Sequence, residues 1–145
     1  MEIKYELPNM DKATEAFKNM KPQLVKSIGD KLLKAVQANV DSSGINDAHG
    51  HVKSWQELRI GSAHGYAAVS PAKSKSGSDS PGAITNYLES GHKTRMPSGR
   101  AQRYTPRIEK TRTTAYGFYR SAKSQADQIA RDAALEIEQK LSGVL

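Results

Sequence analysis

The stretch "MDKATEAFKNMKPQLVKSIGDKLLKAVQANV", Met10 to Val40, decides how the rest of the chain must be arranged. Its apolar residues recur at spacings of three and four, which is the period of one face of an α-helix. This stripe consists of Ala13, Phe17, Met20, Leu24, Ile28, Leu32 and Val36. Pro22 interrupts the pattern, and because proline has no amide hydrogen we expect either a kink or two helices in tandem. A long helix with one apolar face requires another element to cover that face.

A second long helix near the other end of the chain offers such a surface. From Phe118 to Leu141 the apolar residues again follow the helical period, and the opposite face is charged. This second stripe consists of Phe118, Ala122, Ala126, Ile129, Ala133, Ile137 and Leu141. The two stripes therefore predict that the two helices share a core.

The elements between and before the helices are typical of strands and turns. "MEIKYEL", residues 1–7, alternates apolar and charged residues, which predicts a half-buried strand that ends at Pro8. After a turn-rich loop over residues 41–51, "VKSWQELRIG" (52–61) and "GYAAVSPA" (65–72) predict a β-hairpin that turns at residues 62–65. The chain is thus expected to contribute a small antiparallel sheet.

Three further segments follow the hairpin. "KSKSGSDSPG", residues 73–82, offers no aliphatic or aromatic side chain, so we expect it to be a mobile loop. "AITNYLESG", residues 83–91, predicts a short helix with Ile84, Tyr87 and Leu88 inward and Gly91 at its end. The β-branched and aromatic residues of "KTRTTAYGF", residues 110–118, predict a strand.

Together these elements predict one α+β domain over residues 1–145. A small antiparallel sheet packs against a long N-terminal helix and a long C-terminal helix. The 145 residues are enough for a core without disulfides, and the chain has no cysteine. Because the N-terminus lacks the apolar stretch of a signal peptide and no run is long enough to span a bilayer, we expect a soluble protein made in the cytoplasm, with no membrane partner.

Positive charge is concentrated in one segment. The formal net charge is +7, and residues 92–112, here called the basic segment, hold seven lysines and arginines and a single acid, Glu109. The cations are Lys93, Arg95, Arg100, Arg103, Arg107, Lys110 and Arg112. Such a segment either binds something anionic or simply keeps a loop solvated. Tyrosines near the arginines also fit nucleic-acid binding, although no known DNA- or RNA-binding motif accompanies them.

The sequence gives little support to catalysis. His49 and His51 beside Asp47 could contribute to a zinc site, but a lone His-x-His is a weak signal. There is no cysteine nucleophile, nucleophile elbow, phosphate-binding loop or dinucleotide fingerprint. We therefore expect a protein that is not an enzyme and that has no cofactor, metal or catalytic residue.

Glu89 lies near the predicted end of the short helix, where a carboxylate opposes the helix dipole. A nearby cation would relieve this repulsion. The sequence leaves two interpretations open, namely a pair with Arg95 or another neighbour in the same chain, and a pair across a subunit interface.

The motif Tyr87-Leu88-Glu89-Ser90-Gly91-His92 resembles one in the small tail-component proteins of long-tailed double-stranded DNA phages, called tail-completion, tail-terminator or neck proteins. The opening "MEIKYELPNMDKATEAF" resembles the strand and helix with which that family begins. The likeness covers most of the chain, through short motifs. It implies a ring-forming structural protein, commonly a hexamer, located in the virion between the tail tube and the head connector.

On this resemblance the partners are other copies of the chain, tail-tube and head-connector proteins and, non-specifically, the DNA in the lumen. The residues expected to make contacts between subunits or partners are Glu89, His92, Arg95, Arg100 and Arg103. Trp55, Leu58, Tyr87 and Leu88 are expected in the core instead. The alternative function is a basic nucleic-acid-binding module.

Overall fold

The computed structural model describes residues 10–74, 76–93 and 112–143. The elements are α1 (Met10–Ser42), α2 (His51–Ser54), β1 (Gln56–Ile60), β2 (Ala67–Pro71), α3 (Pro81–Ser90) and α4 (Phe118–Ser142), with a 3₁₀ turn at Ser62–His64. Two long helices and a two-stranded antiparallel sheet confirm the predicted α+β class. The strand predicted at residues 1–7 lies outside the described residues. No helix in the described ranges is long and apolar enough to cross a membrane.

Helix α1 is a single element of 33 residues that continues through Pro22. Of the two outcomes expected at Pro22, two helices in tandem are therefore excluded, and a kink stays a prediction. Proline inside a helix removes one backbone hydrogen bond and costs about 3 kcal/mol. Packing along the apolar stripe of α1, where Val36 and Val40 are each only 2% exposed, offsets that cost.

Helix α4 lies antiparallel to α1. Ser27 and Lys31 of α1 contact Glu136 near the end of α4, while Asn39 donates a hydrogen bond to the carbonyl of Phe118 at its beginning. The buried cluster between them, together with α2, consists of Val36, Val40, Val52, Phe118 and Ala122. The predicted stripe of α4 is confirmed, since Ile129, Ala133 and Ile137 are also buried.

The hairpin confirms the predicted pair of strands and covers another part of α1. In the antiparallel register of β1 and β2, Gln56 is paired with Pro71 and Ile60 with Ala67. A β-carbon at Gly29 of α1 would lie 2.5 Å from Leu58 Cδ1 and 3.0 Å from Ala67 Cβ. Gly29 is thus the place where α1 and the hairpin approach too closely for a side chain.

Helix α3 confirms the predicted short helix but begins earlier. Ser80 and Pro81 are buried, and the Ser80 side chain accepts a hydrogen bond from the Ala83 amide, so the loop predicted over 73–82 ends at the start of α3. The expectation that the loop is mobile stays a prediction.

Two expectations are corrected. Tyr87 is 42% exposed rather than part of the core, because Thr85 and Pro81 occupy the inward positions of α3. Trp55 and Leu88 do pack against the core cluster, partly buried, and Leu58 is half-buried against α1. The strand predicted at 110–118 is wrong over residues 113–117, which have no regular structure. Arg112 forms only an isolated bridge with Lys93.

Candidate contact surface at the base of the basic segment

The two ends of the basic segment are held side by side. Lys93 and Arg112 form an antiparallel bridge, and the Thr113 amide donates to the His92 carbonyl over 2.9 Å. These contacts and those described in the next paragraphs join residues 88–93 to residues 112–120, and the two segments together are here called the clasp. The clasp therefore holds the two ends of the basic segment, Lys93 and Arg112, next to each other.

Backbone hydrogen bonds extend the clasp to the end of α3. The amide of Tyr116 donates to the Leu88 carbonyl over 2.9 Å, and the amide of Gly117 donates to the Glu89 carbonyl over 3.2 Å. These bonds satisfy carbonyl groups that a helix end otherwise leaves without partners. The clasp therefore also terminates α3.

Gly91 permits this close approach. Its φ of +66° lies in the left-handed region, and a β-carbon there would sit 2.7 Å from the Thr113 carbonyl oxygen. Both observations exclude a side chain without local rearrangement. The predicted role of Gly91 as the residue that ends the helix is confirmed.

Glu89 caps α4. Its Oε2 accepts a hydrogen bond from the Tyr119 amide over 2.9 Å, and its Oε1 accepts one from the Arg120 amide over 3.0 Å. The residue at the N-cap position, Gly117, has no side chain to do this. A carboxylate at a helix N-terminus satisfies free amides and complements the helix dipole.

Among the described residues Glu89 thus binds backbone amides and no cation; Arg95, the cation that the sequence suggested, lies outside them. Both carboxylate oxygens are engaged within the chain, on backbone amides of α4. A subunit contact at Glu89 stays a prediction, but any such contact shares the carboxylate with the cap.

His92 closes the clasp from the other side. Its amide donates to Thr113 Oγ1 over 2.9 Å, and its ring Nδ1 lies 2.9 Å from the same oxygen. The imidazole ring lies 4.9 Å from the ring of Tyr87, centroid to centroid. Both rings are exposed. The predicted contact residue therefore presents an aromatic face beside the base of the basic segment.

A buried polar network supports the clasp from below. The hydroxyl of Tyr119 donates to Gln56 Oε1, and Gln56 Nε2 donates to the Val52 carbonyl over 2.7 Å and lies 3.5 Å from Thr85 Oγ1. Gln56 and Thr85 are each 3% exposed. Burial, and secondarily the charge of Glu89, raises the pKa of Tyr119 to about 12. The network joins β1, α3 and α4 with directional bonds.

Sequence reasoning missed Thr113, Tyr119 and Gln56. Residue type predicts only a strand for Thr113, and nothing in the spacing of Thr113 or Tyr119 indicates their partners. The inward position of Gln56 could have been predicted, because it lies two residues before Leu58 in the same strand. Alternate residues of a strand face the same side, and Leu58 faces α1. The remaining predicted contact residues, Arg95, Arg100 and Arg103, lie outside the described residues.

The histidines considered for zinc make other contacts. The rings of His49 and His51 are 5.7 Å apart, and His51 stacks on Trp55 at 5.9 Å. Asp47 accepts a hydrogen bond from the Lys53 amide. In the part of the chain that the structure describes, no group of three or more potential ligands could hold a metal ion.

Comparisons with protein-family models, with curated proteins and with solved structures found no match to this chain.

Proposed function

We propose that this chain is a structural subunit of the head–tail junction or tail terminus of a long-tailed double-stranded DNA phage. It acts without catalysis, by assembling with copies of itself into a ring and contacting the tail tube and the head connector. Assembly takes place in the host cytoplasm, and the protein remains in the virion tail or neck.

The observation that carries the proposal is the coincidence of the resembling motif with the clasp. Tyr87 to His92, the residues that resemble the phage family, are those that end α3, cap α4 and fix both ends of the basic segment. A subunit that contacts its neighbours through charge needs the charged segment to leave from a defined place, because each additional degree of freedom must be lost on assembly. The clasp supplies this fixed base.

The basic segment is the proposed contact element. Its seven cations suit an acidic surface on a neighbouring ring, or phosphates that pass through a lumen. His92 and Tyr87 extend that surface with aromatic area, which is common at protein interfaces.

Charge reversal at two arginines tests this function. The double variant R100E/R103E is expected to fold like the wild type, with the same circular dichroism, and to give tailless or unjoined particles when it is the only copy supplied to the phage. The matched control K73E/K123E changes two exposed lysines outside the clasp and is expected to support assembly. Normal particles from R100E/R103E would overturn the proposal.

The second candidate function, a basic nucleic-acid-binding module, is favoured by the same concentration of cations. It requires the isolated protein to bind DNA or RNA tightly at about 150 mM salt, with a steep salt dependence. Tight binding under those conditions together with normal particles from R100E/R103E would favour it.

A further inference from the structure

A second basic surface lies far from the clasp, in an open groove of about 370 Å³ between α1 and α4. Four lysines line it, three on α1 and one on the last turns of α4. They are Lys26, Lys31, Lys34 and Lys140. Lys140 is 22 residues from the start of α4, which places it about 33 Å along the helix from that start, where the clasp lies. The groove is therefore separate from the contact surface described above.

Two acids in the groove hold two of the lysines. Lys26 Nζ lies 2.8 Å from Asp30 Oδ2, and Lys31 Nζ lies 2.7 Å from Glu136 Oε1. The hydrogen bond from Lys31 lowers the pKa of Glu136 below its usual value. Both acids are thus occupied.

The other two lysines of the groove are Lys34 and Lys140. Neither has a carboxylate within 4 Å among the described residues, and both are exposed. They come from the two helices that flank the groove, which as a whole carries four lysines against the two carboxylates of Asp30 and Glu136. An anion bound in the groove would offset this excess of positive charge.

The remaining lining residues decide which anion fits. They are Gln23 and Ser27, so no aliphatic or aromatic side chain lines the groove. A protein interface normally has an apolar or aromatic anchor at its centre, and binding of single strands uses aromatic rings on which bases stack. A polar, cationic groove with neither feature suits backbone phosphates, which are contacted by lysines and by neutral hydrogen-bond donors.

We propose that the α1–α4 groove is a sequence-independent binding site for the phosphodiester backbone of a nucleic-acid duplex, with Lys34 and Lys140 as the phosphate ligands. Two phosphate contacts give weak binding that is lost as salt rises, because each contact releases condensed counterions from the duplex. The assignment stands or falls independently of the proposed role in the virion.

The test is the salt dependence of duplex binding. Fluorescence anisotropy of a labelled duplex of about 20 base pairs is measured with the full chain from about 20 to 150 mM NaCl. The double variant K34Q/K140Q is expected to reduce the slope of log K against log salt by about 1.8, because each phosphate contact contributes about 0.9.

Two control variants isolate the site. K73Q/K123Q removes the same charge from two exposed lysines outside the groove and is expected to leave the slope almost unchanged. K34R/K140R keeps the charges and is expected to retain the wild-type slope, which shows that the groove tolerates substitution.

Three results would overturn the inference. The first is no binding of the duplex by the wild type at the lowest salt. The second is an equal loss of slope in K34Q/K140Q and K73Q/K123Q, which would reduce the effect to net charge. The third is binding of polyglutamate, but not of the duplex, through Lys34 and Lys140, which would assign the groove to an acidic protein.

Discussion

The carboxylate of Glu89 accepts two backbone hydrogen bonds from the first turn of α4, one on each oxygen. A single side chain thus joins the end of one helix to the start of another. The sequence predicted that Glu89 needs a positive partner, and the positive end of a helix is the partner found among the described residues; the predicted pair with Arg95 stays a prediction. The type and position of Glu89 predict that it needs a positive partner. They do not identify α4 as that partner, because α4 begins 29 residues later in the chain.

Glu89→Ala is expected to reduce the free energy of unfolding by about 1–2 kcal/mol, as the loss of a helix cap does. The melting temperature should fall by roughly 3–8 °C. Urea unfolding followed by circular dichroism measures the change. The matched control is Glu138→Ala, an exposed glutamate on α4, which should change stability by less than about 0.5 kcal/mol. Equal effects of the two substitutions would contradict the capping role.

Tyr119→Phe removes the hydroxyl that bonds to the buried Gln56. An unsatisfied buried acceptor costs about 1–3 kcal/mol, and we expect a loss of that order at neutral pH. The control is Tyr66→Phe, because Tyr66 is 62% exposed and its hydroxyl forms no hydrogen bond among the described residues. An equal loss of unfolding free energy in Tyr119→Phe and Tyr66→Phe would contradict the network.

The raised pKa of Tyr119 also predicts a pH dependence. Its folded pKa of about 12 exceeds the usual value of 10.0, so the folded state binds the proton more tightly than the unfolded state. The contribution is complete below pH 10 and is lost as the pH rises towards 12. The stability difference between wild type and Tyr119→Phe should therefore shrink over that range in urea titrations. A constant difference would contradict it.

At the scale of elements, the helices could be predicted because their stripes are long and regular. The stripe from Phe118 to Leu141 is buried almost as the period requires. Short elements were less predictable, because tertiary contacts outweigh local preference there. Thr113 is β-branched, which favours a strand, yet its hydroxyl and amide bond to His92 and not to a neighbouring strand. Tyr87 lies on a helix of ten residues, too short for its apolar residues to define one face.

The contact between α1 and the hairpin can be tested with a double-mutant cycle at Gly29 and Leu58. Ala at position 29 gains about 1 kcal/mol of helix propensity but overlaps Leu58 Cδ1 and crowds Ala67. Leu58→Ala alone leaves a cavity, whereas in the Gly29→Ala background the new methyl group occupies part of that space. We expect a coupling energy of about 1 kcal/mol or more between the two substitutions, measured by urea unfolding. Additive effects within about 0.3 kcal/mol would show that the two sites do not touch.

At the scale of the whole molecule, positive charge occupies two separate places. The clasp fixes the base of the basic segment at the start of α4, and the lysine groove lies near its end. The first was evident in the sequence because its seven cations lie within the single segment 92–112. The groove was not, because its lysines lie on two helices that are far apart in the chain, α1 ending at Ser42 and α4 beginning at Phe118, and that meet only when they pack. In a ring the two surfaces would serve different partners, one a neighbouring subunit and the other a duplex.

The central claim, assembly into a ring, is tested most directly by the mass of the purified protein in light scattering across a range of concentrations, with and without a short duplex at about 150 mM NaCl. We predict that the 15.9 kDa chain converts with rising concentration into one ring-sized species, and that the duplex does not change its mass at this salt concentration. A chain that stays monomeric or dimeric at every concentration and gains the mass of the duplex would contradict the account and favour a nucleic-acid-binding module.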